Sequence, residues 1–521
     1  MELSTISLLF LILPIISLVL ASSHRGRRES RAETNRKRRP PGPWGLPFIG
    51  SIHHLLTSQP QAALRELAEK HGPVMYLRLG QVDTVVVSSP EAAQEVLRAN
   101  DISFASRPSL LATDIICYGS LDLAFVPYGD YWRVLRKLCT LELLSARKVK
   151  QFAGIRHRET MSLVAEVQAA AGGGEPVNLG GLLVSCTNSI TGLATFGHSC
   201  SGERRKRFLS AMNVVLKYSS GFCVSDLFPS MWFMDVVTGM RHRLRRAHRQ
   251  LDQVFDEIIA ECEARRRNAQ GEDREGEHDL LSVLLRIRDE GELELPIKTI
   301  NIKAIIVDMF IAGTETTSSA AEWVMSELIK NPETMAKAQT EVRQAFDNKN
   351  PLDHESNVHH LHYLSMVIKE TMRLHPPLPL LLPRLCRETC DVGGFEVARG
   401  SRVIVNAWAL ARSPEYWSDD SEEFSPERFE GSVLDYKGTQ FEYLPFGSGR
   451  RMCPGSGFGL ATMELILARL LYYFDWSLPA GMQPLELDMD MTVGATARRS
   501  NQLHLMASPY CKVTAKSSNI L

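Results

Sequence analysis

Phe446-Gly447-Ser448-Gly449-Arg450-Arg451-Met452-Cys453-Pro454-Gly455 is the run that decides how this chain is read. Its three glycines let the backbone turn sharply and come close to a large flat object. Two arginines in the same run can pair with carboxylates on that object. Cys453 stands between them and the apolar, helix-forming run Phe458 to Tyr473, so it lies just ahead of a buried helix. Backbone N–H groups near a helix start, together with Arg451, favour the thiolate form of such a cysteine. On this stretch alone, a buried structural cysteine in a glycine-rich turn is the plainer alternative.

Working outward, Tyr128 to Lys137 places Trp132 and Arg136 four residues apart, on one face of a helix. An indole N–H beside a guanidinium suits a carboxylate. A long apolar helix is expected over roughly Ile300 to Lys330, ended by Asn331-Pro332. It is far longer than the roughly 11–12 residues of an average helix. Its middle reads Ala312-Gly313-Thr314-Glu315-Thr316-Thr317. Glycine weakens a helix there, and threonine hydroxyls divert backbone bonds and bend it. Leu364 to Leu374 is a further helix, stopped by Pro376-Pro377, with Glu370 and Arg373 three apart on one face. Pro426-Glu427-Arg428-Phe429 follows it. Each of these alone has an ordinary reading: a snorkelling arginine, a kinked core helix, a surface ion pair.

Together they resemble the cytochrome P450 monooxygenases. The pattern Phe446-x-x-Gly449-x-Arg451-x-Cys453-x-Gly455 is similar to that family's haem-binding signature. The resemblance implies that Cys453 ligates iron, Phe446 shields the sulfur, and Gly449 and Gly455 give the backbone room. Trp132, Arg136, Arg384 and Arg451 would hold the haem propionates. Thr316 matches the threonine that bonds iron-bound dioxygen, Glu315 the acid that delivers protons, and Ala312-Gly313 the space for oxygen. Glu370, Arg373 and Arg428 would form a buried structural triad. Thr113, Ile115, Ile116, Ala312, Leu380 and Leu381 are the implied substrate-pocket residues. Met491 to Arg499 looks like the last substrate-facing turn but is about two residues short, so Val493, Ala495 and Thr496 all remain candidates to face substrate.

Composition is consistent with this. Of 521 residues, 44% are hydrophobic and 23% charged, enough for a sizeable core. The net charge of −1 gives nucleic acid no global attraction. Ten cysteines lie scattered without CxxC pairs, which favours free thiols over a disulfide framework or a zinc site. Leu3 to Ser23 carries no charge and reaches about 31 Å as a helix, enough to cross a bilayer core. His24 to Arg39 is strongly basic, whereas only Glu2 precedes the apolar run. The positive-inside rule therefore favours an uncleaved anchor, with the C-terminal side cytosolic, over a secretory signal. Pro40 to Pro47 is a stiff arm. The expected organisation is an anchor over 1–23, a basic linker over 24–39 and a catalytic domain over 40–521.

Helical stretches outnumber strands, so the fold expected is mainly α with small β-sheets. The leader, the proline arm and Phe125 to Arg133 look most like plant microsomal, A-type members. That likeness implies haem b as cofactor and the endoplasmic reticulum membrane as location. It also implies an apolar small-molecule substrate, most simply a terpenoid. No G-x-G-x-x-G follows a strand, so NADPH would act indirectly, through a cytochrome P450 reductase. A haem-thiolate isomerase or dehydratase, which needs neither dioxygen nor reductase, is the alternative; Thr316 speaks against it.

Overall fold

One helix, Thr299–Lys330, organises the structure. It begins where the Asn301 side chain accepts the Lys298 N–H at 2.7 Å. It stops at Asn331, because Pro332 opens the next helix, Pro332–Phe346. A helix apolar on all sides belongs inside a protein. Ile302, Ile305 and Ile306 near one end, and Trp323, Val324 and Leu328 near the other, are indeed fully buried. The middle differs. Ala312 is exposed, and Met309, Gly313 and Thr316 are half-buried, so one face opens on an internal space. The Thr316 and Ser318 hydroxyls donate to the carbonyls of Ala312 (2.6 Å) and Thr314 (2.9 Å), four residues back, yet the helix runs on unbroken.

The computed structural model describes residues 39–197, 202–218, 223–268, 279–291, 293–479, 481–493 and 496–510. The expected anchor, the basic linker up to residue 38, and Gly494 and Ala495 of the last turn lie outside them. Within them, Ala153–Ala171, Leu179–Phe196, Met240–Asn268, Leu280–Glu290 and Ser456–Tyr473 share one core with the long helix. Met240–Asn268 shows the logic. Leu244, Leu251, Val254, Phe255 and Ile258 recur at helical spacing and are buried, while Arg243, Arg245, Arg246 and Arg249 face outward. Leu179–Phe196 is long and apolar enough to cross a membrane, but Leu183, Ile190 and Ala194 are buried in the core. None of the eight cysteines in the described residues forms a disulfide.

The strands are few. Val74–Leu79 and Val82–Val87 form an antiparallel hairpin. Val82–Val87 then pairs in parallel with Arg402–Val405, which pairs with Arg384–Leu385. The β-branched run Val85, Val86 and Val87 is buried, as a strand covered on both faces requires. The described residues hold three smaller sheets besides, among them the hairpin Met491–Val493 with Ala497–Arg499. This is the mainly helical fold with small sheets that the pattern implies.

Candidate active site

Cys453 lies in a loop closed by its own hydrogen bonds. Its N–H donates to the Phe446 carbonyl at 3.0 Å, and Met452 N–H to Gly449 at 3.0 Å. The helix after it starts at Ser456. Burial pushes the thiol up from its ordinary pKa, while the N–H groups of Gly455 and Ser456 and the charge of Arg136 pull it back down. The cation that favours the thiolate is therefore Arg136, not Arg451 as expected. Arg136 reaches the loop from the helix Asp130–Leu138 and donates to the Met452 carbonyl at 2.7 Å.

A cavity of about 260 Å³ separates this loop from the long helix. Cys453, Phe446, Gly455, Trp132, Arg136, Arg384 and Arg451 line it, together with Ala312, Gly313, Thr316, Leu381 and Leu382. Arg107 joins them and had no signal in the sequence: its segment shows no clean period. Its guanidinium donates to the carbonyls of Leu382 (2.7 Å), Pro383 (2.9 Å) and Ala124 (3.0 Å). Arg451 donates to Ala105 (2.8 Å), Leu123 (2.9 Å) and Val126 (2.5 Å), and its guanidinium lies 4.6 Å from the Trp132 ring centroid. Arg384 pairs with Asp101 at 3.0 Å, and Arg450 with the same carboxylate at 3.0 Å.

Four guanidiniums, two on buried and two on half-buried arginines, thus converge on one space. Burial lowers all of them; Arg107 falls well below its ordinary range, helped by the charges of Arg384 and Arg451, and Arg451 falls to about 9. Trp132 is 4% exposed, and its indole N–H has no acceptor. A buried donor without a partner costs free energy, and so does a cluster of like charges. Both costs fall if a dianion sits in the cavity.

The two glycines expected to give room do different things. Gly449 has φ +69°, and a Cβ there would lie 2.1 Å from the Leu97 carbonyl oxygen. It is needed for the loop to meet the turn Glu95–Ala99, and it does not line the cavity. Gly455 lines the cavity, and a Cβ there meets nothing within 4 Å. Gly449→Ala is therefore expected to lose more than about 2 kcal/mol from the left-handed penalty and the clash together. Gly455→Ala should fold normally. Thermal unfolding of the two variants checks this contrast.

Other expected residues sit elsewhere. Thr113 and Ile116 are buried in the short helix Leu111–Ile116, Ile115 packs on the same core, and none of the three lines the cavity. Leu381 has φ +50°, so the chain turns over between neighbours: Leu381 and Leu382 face the cavity while Leu380 packs on the cluster of Leu64 and Leu77. Glu315 also turns away. Its carboxylate lies 3.4 Å from the Thr496 hydroxyl and 3.6 Å from Arg498. Thr496, a candidate to face substrate, is buried against Glu315 instead. Gly313 faces the cavity, but a Cβ there would also meet the Thr191 hydroxyl at 3.1 Å, so its smallness serves helix packing too. Glu370, Arg373 and Arg428 come together: Arg373 donates to both Glu370 oxygens (2.7 and 2.8 Å) and Arg428 Nε to one of them (2.9 Å).

Residues 40–505 match the family model for cytochrome P450. The chain belongs to the cytochrome P450 family. It is 62% identical to cytochrome P450 99A2 of Oryza sativa subsp. japonica, over 92% of this chain and 90% of that protein. It is 60% identical to the 9-beta-pimara-7,15-diene oxidase of the same rice, over 94% and 95%. Premnaspirodiene oxygenase of Hyoscyamus muticus is 48% identical, over 93% and 95%. Among solved structures, a zebra fish cytochrome P450 with abiraterone is similar at a TM-score of 0.70 and 26% identity, covering 87% of this chain and 100% of that one. A cytochrome P450 carries haem on a cysteine thiolate. The cavity suits that group: one thiol at its wall, four guanidiniums for two propionates, an unpaired indole N–H, and apolar residues for the remainder.

Proposed function

We propose that this cytochrome P450 is a microsomal monooxygenase that inserts one oxygen atom from dioxygen into an apolar terpenoid. The observation that carries the reading is that Cys453 and Thr316 line the same cavity, from the loop and from the long helix. Relatives named for oxidising pimaradiene and premnaspirodiene support the substrate class.

Cys453 would hold the iron, and Trp132, Arg136, Arg384, Arg451 and Arg107 would hold the propionates. Haem, when bound there, supplies dioxygen activation and substrate oxidation. The protein supplies the rest. Ala312, Leu381, Leu382 and Met309 exclude water and seat an apolar substrate. The Thr316 hydroxyl, held by the Ala312 carbonyl, keeps a proton at the cavity wall. Glu315 faces the strand Ala497–Arg499, and the Arg498 side chain beside it is half exposed. Proton delivery therefore has two stages: Glu315 takes protons from the solvent side, and Thr316 passes them into the cavity.

Electrons come from NADPH through a separate cytochrome P450 reductase. The anchor over 1–23, the basic linker over 24–39 and the catalytic domain over 40–521 put the enzyme on the endoplasmic reticulum membrane, facing the cytosol. Surface chemistry supports this. Trp44 and Phe48 of the arm are exposed, as are Trp232, Phe233, Val236 and Val237, and Phe48 stacks on Phe228 at 5.0 Å to join the two groups. An apolar surface beside the arm suits a lipid interface.

The test is turnover of a diene hydrocarbon in membranes with reductase, NADPH and isotope-labelled dioxygen. One labelled oxygen in the product is expected; unlabelled product, or turnover without reductase, overturns the reading. Thr316→Ala should keep consuming NADPH while product falls roughly tenfold, less than the loss of a lone acid or base because water can replace the hydroxyl. Measuring product per NADPH checks it.

A further inference from the structure

Leu123 and Ala124 carry the chain across the cavity wall, between the helices Leu111–Ile116 and Asp130–Leu138. One side chain of the long helix holds that crossing. Asp308 Oδ2 accepts the N–H of Leu123 at 2.6 Å and of Ala124 at 3.1 Å. From the cysteine loop, Arg451 donates to the Leu123 and Val126 carbonyls, and Arg107 donates to the Ala124 carbonyl. The crossing is strung between the long helix and the arginines of the cavity.

A second carboxyl lies in the crossing itself. Asp122 is fully buried, and its Oδ2 accepts the Phe125 N–H at 3.0 Å. Its Oδ1 is buried and receives no N–H or hydroxyl donor. The Asp308 carboxyl, which accepts from the two residues that follow Asp122, is its side-chain hydrogen-bonding neighbour. Two carboxylates in hydrogen-bond contact in a buried site cannot both ionise, so one proton stays between them. Its place follows from the neighbours. Asp122 faces the cations Arg451 and Arg107. Asp308, half-buried, lines the cavity that Arg107 and Arg136 also line, and its nearest titratable neighbours are Asp122 itself and the neutral groups Cys117, Cys139 and Tyr131. The charge settles on Asp122 and the proton on Asp308.

We propose that Asp308 and Asp122 share one proton and latch residues 121–126 to the long helix, making Asp308 the positioning residue that sets this wall of the cavity and the site of substrate oxidation. Only the last clause rests on the monooxygenase reading. Burial and the Asp122 charge push the Asp308 carboxyl well up. The folded chain therefore holds a proton that the unfolded chain releases at a lower pH, and the latch weakens as pH rises through the folded value. Asp308→Asn removes that titration: its amide oxygen accepts the same two N–H groups and its NH₂ donates to Asp122, copying the protonated acid.

The experiment is hydrogen exchange of the Leu123 and Ala124 amides in the full-length holoenzyme, at neutral and alkaline pH, with the ratio of oxidised products measured in parallel. At neutral pH, Asp308→Ala should exchange about tenfold faster or more, the loss of roughly one hydrogen bond's stabilisation, and shift the product ratio. Asp308→Asn should keep both the slow exchange and the wild-type ratio. Alkaline pH should accelerate wild type beyond the general base-catalysed increase, and Asp308→Asn by less. Unchanged exchange in Asp308→Ala overturns the latch. Fast exchange in Asp308→Asn at neutral pH overturns the shared proton. Altered exchange with an unaltered product ratio overturns the positioning role. Should no substrate turn over, the exchange result still decides the latch by itself.

Discussion

Cys453→Ala is expected to give a folded protein with no thiolate-ligated haem and no turnover. The two halves of that expectation have separate grounds. The loop is held by backbone bonds from Cys453 to Phe446 and from Met452 to Gly449, and by Arg136 on the Met452 carbonyl. None of these uses the sulfur. Removing it forfeits roughly 1 kcal/mol of buried contact, too little to unfold a core of this extent. Of the eight cysteines in the described residues, the other seven do not line the cavity, so none stands ready to replace it. The reduced carbon monoxide difference spectrum of the membrane-bound protein reads the ligand directly. Wild type should show a thiolate-type Soret shift and Cys453→Ala none, while circular dichroism stays the same. A histidine-type spectrum in wild type would remove Cys453, and with it the mechanism.

How far such residues were legible in the sequence depends on where their partners come from. Trp132, Arg136 and Cys453 carry fixed local spacings, and all three line the cavity as that spacing implies. The long helix was legible to within a residue because Asn331-Pro332 stops it and apolar residues run through it. Phe104 to Leu123 is the opposite case. It has no clean period, so no face can be assigned to Thr113, Ile115 or Ile116, which are packed away from the cavity. This stretch and the short helix Asp101–Phe104 at its start supply Asp101, Arg107 and Asp122, and so decide what Arg384, Arg450 and Arg451 touch. Leu380 and Leu381 exchange faces at one positive φ that a run of leucines does not announce. Glu315 and Thr316 are adjacent in a motif, but neighbours on a helix point about 100° apart. Only one of the pair can face the cavity, and it is Thr316.

Arg373→Ala is expected to abolish haem incorporation through the fold. Arg373 is fully buried and makes five bonds: two to Glu370, and one each to the carbonyls of Ala411 (2.8 Å), Ser421 (2.6 Å) and Glu423 (3.0 Å). Truncation leaves the Ala411 and Ser421 carbonyls without this donor, leaves Glu423 only the longer bond from Arg428 (3.4 Å), and takes one of two cations from Glu370, itself fully buried. Breaking a buried pair costs about 3–5 kcal/mol, of the order of a domain's whole stability. The damage falls on the route into the cysteine loop. Trp417, Phe429 and Tyr443 form one cluster, the Arg373 guanidinium lies 5.0 Å from the Trp417 ring centroid, and Tyr443 bonds the Lys369 carbonyl beside Glu370. Arg428→Ala should be milder, because Arg428 is partly exposed and Arg373 still covers both oxygens of Glu370. Glu370→Ala should match or exceed Arg373→Ala, since it leaves a buried cation uncompensated. Haem per polypeptide and resistance to proteolysis, measured on all three, order them. Wild-type haem content in Arg373→Ala would show that segment 411–429 holds its place without the guanidinium, and the bracing role would fall with it.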